Sequence, residues 1–285
     1  MLLHRIRAWY QHPAIQPWRR RCSDEGVSVF DRIESIMRRC DSDARVMPPT
    51  HVFNEGWLLR VTLDWFADHP CVVHPLAVPK SASWYSEALL SSHFLPRRRG
   101  DPLAESYTHA GGVIGQFVIG NSGEGDLRLR ADALRFVVIE AKLGSPLSSG
   151  TKNAPGYDQA ARNVACMAHI LSVAGRRPEE IKTLGFFVLA PASRIDQGVF
   201  EPHLSKHGIR AKAFERASKY DDPSRQDWLH EWLIPTLERA TIEAVSWEGL
   251  GQFIASQDVE AGASFQKFYA RCLDYNRLLE DRPRA

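Results

Sequence analysis

The chain has no run approaching the roughly 18–20 apolar residues that a membrane span needs, so an integral helical membrane protein is not expected. It has no strong excess of either charge. Thirty-six Lys and Arg against 34 Asp and Glu leave a net charge of +2, which excludes a binder held to nucleic acid by bulk charge alone. Its five cysteines (Cys22, Cys40, Cys71, Cys166, Cys272) include no CxxC pair and no close Cys/His spacing. Neither a disulfide framework nor a structural zinc site is expected, and a reducing, cytoplasmic setting follows. Met1 to Cys22 carries five Arg and no acid but lacks the continuous apolar core of a secretory signal. No internal repeat is present, and the two glycine-rich segments, from Ala110 and from Gly120, lack the GxxxxGK spacing of a phosphate loop.

What is present is the composition of a globular protein, 44% hydrophobic and 25% charged over 285 residues. Val29, Ile33, Ile36 and Met37 recur at helical spacing after the cap Ser28. A second helix is expected from Asn54 to Asp68, with Trp57, Leu58, Val61 and Trp65 on one face, and His69-Pro70 ends it. A third is expected over Ser83 to Phe94. From Gly111 the pattern changes to strands: Val113 to Ile119, a turn over Asn121 to Gly125, a short alternating stretch Asp126 to Arg130, and the apolar Leu134 to Leu143. A Gly/Pro/Ser-rich loop leads into a helix from Tyr157 to Val173, ended by Gly175. Thr183 to Ala190 reads as a buried strand, Gln226 to Ala240 as a helix, Thr241 to Ser246 as a last strand, and the tail from Ser264 as a helix. The order implies a mixed α/β fold, an antiparallel meander feeding a crossover helix. Residues 1–80 are expected to form a helical extension packed on an α/β domain of residues 81–285, with its core over 83–190 and additions over 191–285.

The informative segment is Phe136-Val137-Val138-Ile139-Glu140-Ala141-Lys142. Four large apolar residues mark a strand buried on both faces, yet it ends in Glu140 and Lys142, two apart and so on one face. Charges at the end of a central strand are costly unless paired or coordinated. If residues 131–135 form a hairpin loop, Asp126 faces Glu140 with Cβ atoms about 4.5–5.5 Å apart; a two-residue turn would instead put them on opposite faces. Facing carboxylates invite a cation, and hard oxygen ligands suit Mg²⁺, with Mn²⁺ as a substitute. Asp132 falls in the loop and reads as turn chemistry. His109, just before the first strand, reads as structural, and the eight Trp as core. Arg97-Arg98-Arg99 with Lys80 and Lys152 reads as a solvated loop that could also track phosphates.

Asp126 followed by Glu140-Ala141-Lys142 resembles the D-(x)n-ExK signature of the PD-(D/E)XK nuclease superfamily. The element order resembles that superfamily's restriction-endonuclease-like α-β-β-β-α-β core over residues 83–190. The chain departs from the pattern in having Gly125 where the signature has Pro. The resemblance implies a Mg²⁺-dependent nuclease acting on DNA, with Asp126, Glu140 and the Ala141 carbonyl as metal ligands and Lys142 orienting the attacking water. It also implies a metal-site Glu on the helix before the first strand, Glu87, with Glu55 on the earlier helix as competitor. Gln159 corresponds to a Gln that approaches the site in RecB-like branches. Two other classes stay open: a non-cleaving nucleic-acid-binding or assembly module of the same fold, and a glycosidase using the carboxylates as acid and base. The substrate's form and any homo-oligomer are left open by the sequence.

Overall fold

In the computed structural model, residues 28–42, 45–96, 98–120 and 126–280 are described, with side chains to Asn276. Met1 to Cys22, the turn Asn121–Gly125 and Arg97 of the basic run lie outside them. The chain forms two compact units, divided between Val52 and Phe53. The expected boundary at residue 80 therefore moves back, and the second helix belongs to the larger unit.

In the smaller unit, α1 (Val29–Arg39) begins at a reciprocal cap. The Asp31 amide donates to Ser28 Oγ (3.1 Å) and the Ser28 amide to Asp31 Oδ2 (2.8 Å).

The larger unit is mixed α/β, a five-stranded sheet flanked by helices. Its strands are β1 (Ser83–Leu90), β2 (Thr108–Gly115), β5 (Arg135–Ala141), β8 (Thr183–Ala190) and β9 (Thr241–Ser246), in the spatial order β1-β2-β5-β8-β9. β1, β2 and β5 alternate antiparallel, and β8 and β9 continue parallel from β5. The crossover from β5 to β8 is α3 (Gln159–Ala174), capped at its start by Asp158 and ended by Gly175 at φ 62°. Its buried stripe of Ala160, Ala161, Val164, Ala165, Ala168 and Leu171 joins Phe136, Val138, Phe186 and Val188 in one core. On the other side α2 (Glu55–Asp68), capped by Asn54, packs against β1, β2 and β5. A Cβ on Gly112 would lie 3.1 Å from both Leu59 and Leu63 of α2, so this packing is close.

Four expectations need correction. Ser83 to Leu90 is a strand, not a helix: Glu-Ala-Leu-Leu favours helix locally, but seven residues pair with β2, and that ladder overrides propensity. The α2 face that is buried carries Leu58, Leu59, Thr62, Leu63 and Phe66, while Trp57 and Val61 are exposed. The strand over Val113 to Ile119 is broken at Gln116, whose side chain accepts the amides of Leu134 and Arg135 (both 3.0 Å). Finally, Asp126 does not face Glu140. β3 (Phe117–Ile119) and β4 (Leu127–Leu129) pair with each other as a separate ribbon, while both edges of β5 are taken by β2 and β8. Around the sheet, a 3₁₀ turn at Pro178–Glu180 and the small ribbon β6 (Gly150–Thr151) with β7 (Ala154–Pro155) fill connections; the smaller unit has a 3₁₀ turn at Pro49–His51. After β8 come α4 (Ala192–Asp196), α5 (Glu201–Leu204), α6 (Lys206–Ser218), α7 (Pro223–Trp228), a π-turn to Leu233 and α8 (Ile234–Arg239). α9 (Trp247–Gln257) and α10 (Val259–Glu280) follow β9. The core element order is thus α2-β1-β2-β5-α3-β8, with the β3–β4 ribbon inserted.

Candidate active site

β5 is buried along its length because strands cover both of its edges and helices both of its faces, which is why its sequence is an unbroken apolar run. Its ladder with β2 reaches Gly112↔Ile139 and stops. Its ladder with β8 continues through Ala141↔Leu189, and the Lys142 amide donates to Leu189 O (2.8 Å). The sheet therefore forks at Glu140 in its pairing: the β2 ladder ends at Ile139, although Gly111 still packs beside Glu140, and the β8 ladder runs on. The Glu140 carboxylate is buried at this fork, with 4% of the residue exposed.

The fork is lined from four elements. From α3, Asn163 Nδ2 donates to Glu140 Oε1 (2.9 Å) and to the Gln159 carbonyl (3.0 Å). Gln159, one turn earlier, hydrogen-bonds the Glu140 carboxyl and accepts the Ser148 amide on Oε1 (3.2 Å), tying the Gly144–Gly156 loop to the site. Lys142, two residues along β5, lies near enough for its charge to act on Glu140. Among the described residues it makes no ion pair, and its carbonyl accepts Trp247 Nε1 (2.9 Å). From β1, the Glu87 charge acts on Glu140 as well. Burial dominates the balance and raises the Glu140 carboxyl from 4.5 to about 7. Glu87 pushes the same way, while Lys142, Asn163 and Gln159 pull it down.

Glu87 reaches this position through a backbone irregularity. It is the one non-glycine residue with positive φ (57°) among those described, a conformation costing roughly 1–2 kcal/mol for a residue with a Cβ. Tyr85, Ala88 and Leu90 all pack on the α3-side core, so strand alternation slips by one residue at Glu87. Between Ser86↔Gly112 and Ala88↔Ala110, Glu87 stands opposite Gly111. A Cβ on Gly111 would sit 3.2 Å from Ile139 O and 3.3 Å from Ala141 N, so glycine there lets the row Glu87, Gly111, Glu140 cross the sheet closely. Arg60 of α2 lies 3.6 Å from Glu87 Oε1 and donates to Ser86 Oγ (3.0 Å).

Asp126 is elsewhere. It bridges to Leu89, its carbonyl accepts the Gly120 amide (2.9 Å), and it lines a cavity with Ser91, Tyr107, Ile170 and Val173. Ile170 is 170 − 159 = 11 residues beyond Gln159, about 16 Å along the helix axis. Asp126 thus belongs to the opposite end of α3 from Glu140, because its strand left the main sheet at Gln116. Glu55, in the first turn of α2, stands near Cys272 of α10, whose thiol is pushed up to about 12 by burial and by Glu55. Asp132 pairs with Arg130 (2.7 Å) on the surface, and His109 is exposed on β2 opposite Leu89.

Sequence reading missed Asn163. Its signal was its place four residues after Gln159 on the crossover helix, which puts both on one face. Among the described residues no three His, Cys, Asp or Glu converge as a metal cage. The donors are the Glu140 carboxylate, an amide and backbone carbonyls, with the Glu87 carboxylate near enough for its charge to act on Glu140; all are hard oxygen donors. That set fits Mg²⁺, which binds through one or two carboxylates and keeps its remaining waters. No protein-family model, curated protein or solved structure matches this chain.

Proposed function

We propose that this protein is a divalent-metal-dependent phosphodiesterase that hydrolyses DNA, on a core of restriction-endonuclease-like type. The supporting observation is the buried carboxyl of Glu140 at the fork between β2 and β5, held by Asn163 and acted on by Gln159 and by the charges of Lys142 and Glu87. The order α2-β1-β2-β5-α3-β8 supports the same reading, with α2 as its first helix. In this assignment Glu87 takes the second-carboxylate role expected of Asp126, and the Ala141 carbonyl remains a candidate ligand.

Mg²⁺ held by Glu140 and Glu87 would supply a Lewis acid for the scissile phosphate and an acidified water. The protein's own groups do the rest. Asn163 fixes one Glu140 oxygen, so the carboxylate presents the other in a single orientation. Gln159 carries the loop at Ser148 to the same carboxyl, closing one side of the fork. Lys142, without an ion pair among the described residues, has an ammonium able to orient water and to offset negative charge growing on the phosphate oxygens. In this reading the strained backbone at Glu87 is what turns its carboxylate toward the site.

The test is nicking of supercoiled plasmid with Mg²⁺ and with EDTA, for wild type and Lys142→Ala. Mg²⁺-dependent nicking, reduced at least 10²-fold by the substitution, is expected. Equal signal in every lane would remove the hydrolytic reading. The second reading, a nucleic-acid-binding module that does not cut, is favoured by the lack of a third acidic group at the fork among the described residues. It requires duplex binding without nicking.

A further inference from the structure

Beyond the ends of β5 and β8 lies a cavity of about 310 Å³ that the hydrolytic reading leaves unused. Its floor is the segment directly after Lys142: Leu143 and Gly144, anchored by Trp247 Nε1 on the Lys142 carbonyl. Crevices outside the carboxyl ends of parallel strands are where open α/β sheets take ligands. The cavity's polar groups are of opposite sign. Arg194 donates through Nη2 to Gly144 O (2.8 Å), but its Nε is buried without a partner, and no carboxylate of the described residues pairs with it. A half-buried guanidinium without a counter-ion is costly unless an anion completes it, and its planar fork matches phosphate.

Glu248 provides the other pole. Its oxygens accept the Ala192 amide and the Tyr269 hydroxyl (both 2.8 Å), which pins the carboxylate while leaving two of its roughly four lone-pair sites. Leu143, Pro191 and Leu273 supply apolar wall in the same cavity. A guanidinium for phosphate, an apolar wall, and a carboxylate for N–H donors in one cavity match the groups of a nucleotide. A carboxylate accepting from an exocyclic base amine is an established pairing. The volume lies at the lower end of small-ligand sites, enough for one nucleotide.

We infer that this cavity is a nucleotide subsite beside the scissile position. Arg194 takes the phosphate, Glu248 accepts from the base, and Leu143, Pro191 and Leu273 hold its faces. The choice of a nucleotide among phosphorylated ligands rests on reading Glu140 and Lys142 as the hydrolytic pair. The substrate strand would then run from the fork across Leu143 and Gly144 into the cavity, so contacts on that side of the cut would set affinity.

Calorimetric titration of dCMP and of inorganic phosphate into Glu140→Gln protein tests this without turnover. Saturable dCMP binding is expected, tighter than phosphate. Arg194→Met should weaken it at least tenfold, and Leu273→Trp, which fills the cavity, should abolish it; circular dichroism checks that both variants fold. No saturable dCMP binding overturns the subsite, as does binding that both folded variants leave unchanged. Phosphate binding as tightly as dCMP overturns its nucleotide part. Plasmid nicking by the wild type is scored separately. dCMP binding without Mg²⁺-dependent nicking removes the hydrolytic reading alone, and nicking with no dCMP binding removes the subsite alone.

Discussion

Two glutamates, Glu105 and Glu140, are each 4% exposed and each has its carboxyl raised chiefly by burial, yet they are built for different ends. Glu105 is closed in by cations. Arg216, itself fully buried, donates to its Oε1 (2.8 Å), Arg162 lies 3.9 Å from Oε2, and the Arg225 charge acts on it too. Arg216 also hydrogen-bonds the Leu103 carbonyl and the Tyr220 hydroxyl, so this cluster fastens the loop before β2 to α6. Glu140 receives amide donors on one side, and its nearest cation, Lys142, is uncommitted. Arg162 and Asn163 are consecutive on α3, so one helix serves both carboxylates from adjacent positions. The difference teaches that a buried charge neutralised from within latches the fold, while one left short of cations is prepared for a cation from outside.

The largest expected effect separates chemistry from scaffold. Glu140→Gln should lower Mg²⁺-dependent nicking at least 10³-fold, whereas Asp126→Asn, at the far end of α3, should leave it within about threefold. Plasmid nicking rates decide this, and comparable losses in both variants would break the assignment.

Stability should invert between the two glutamates. Glu105→Gln leaves Arg216 buried without its counter-charge and should cost about 3–5 kcal/mol in urea unfolding. Glu140→Gln should stabilise. The native carboxyl, at about 7, lies above its ordinary 4.5, so its ionisation opposes folding and wild-type stability falls as pH rises through that interval. The gain should be absent at pH 4 and approach about 3 kcal/mol at pH 8. A gain independent of pH would show that ionisation of Glu140 is not its source.

Metal binding sharpens the same contrast. A cation at Glu140 requires the carboxylate, so Mg²⁺ added near pH 7 should release about half a proton per site. Calorimetry in buffers of differing ionisation enthalpy measures this, and Glu140→Gln should abolish it while Glu105→Gln, where folded, should not. The smallest effect expected is Glu87→Gly, which relieves the positive φ and should stabilise by about 1 kcal/mol in urea while lowering nicking. A destabilised variant would mean that the strand irregularity is not strain carried for the site.

Glu140 and Lys142 were legible because a charged pair after four large apolar residues contradicts burial, and such contradictions collect at sites, while Gln159 entered only through the family resemblance. Glu87 was legible as a candidate but was placed on a helix, since Ser-Glu-Ala-Leu-Leu carries no local mark of the strand it joins. Asp126 misled because hairpin pairing was assumed between strands close in sequence. The chain instead leaves the sheet at Gln116, whose side chain satisfies amides that a continued ladder would have used.

The linear order of residues by itself determined the buried strands β5 and β8, the crossover helix with its Gly175 end, and the charged residues at the end of β5. Each of these follows from local periodicity, capping and the cost of burying charge. Only the tertiary structure decided which carboxylate stands beside Glu140, where the sheet forks, and that Asn163 holds it. Those depend on pairing between strands distant in sequence, and strand register is a property of the partner that arrives rather than of the segment itself.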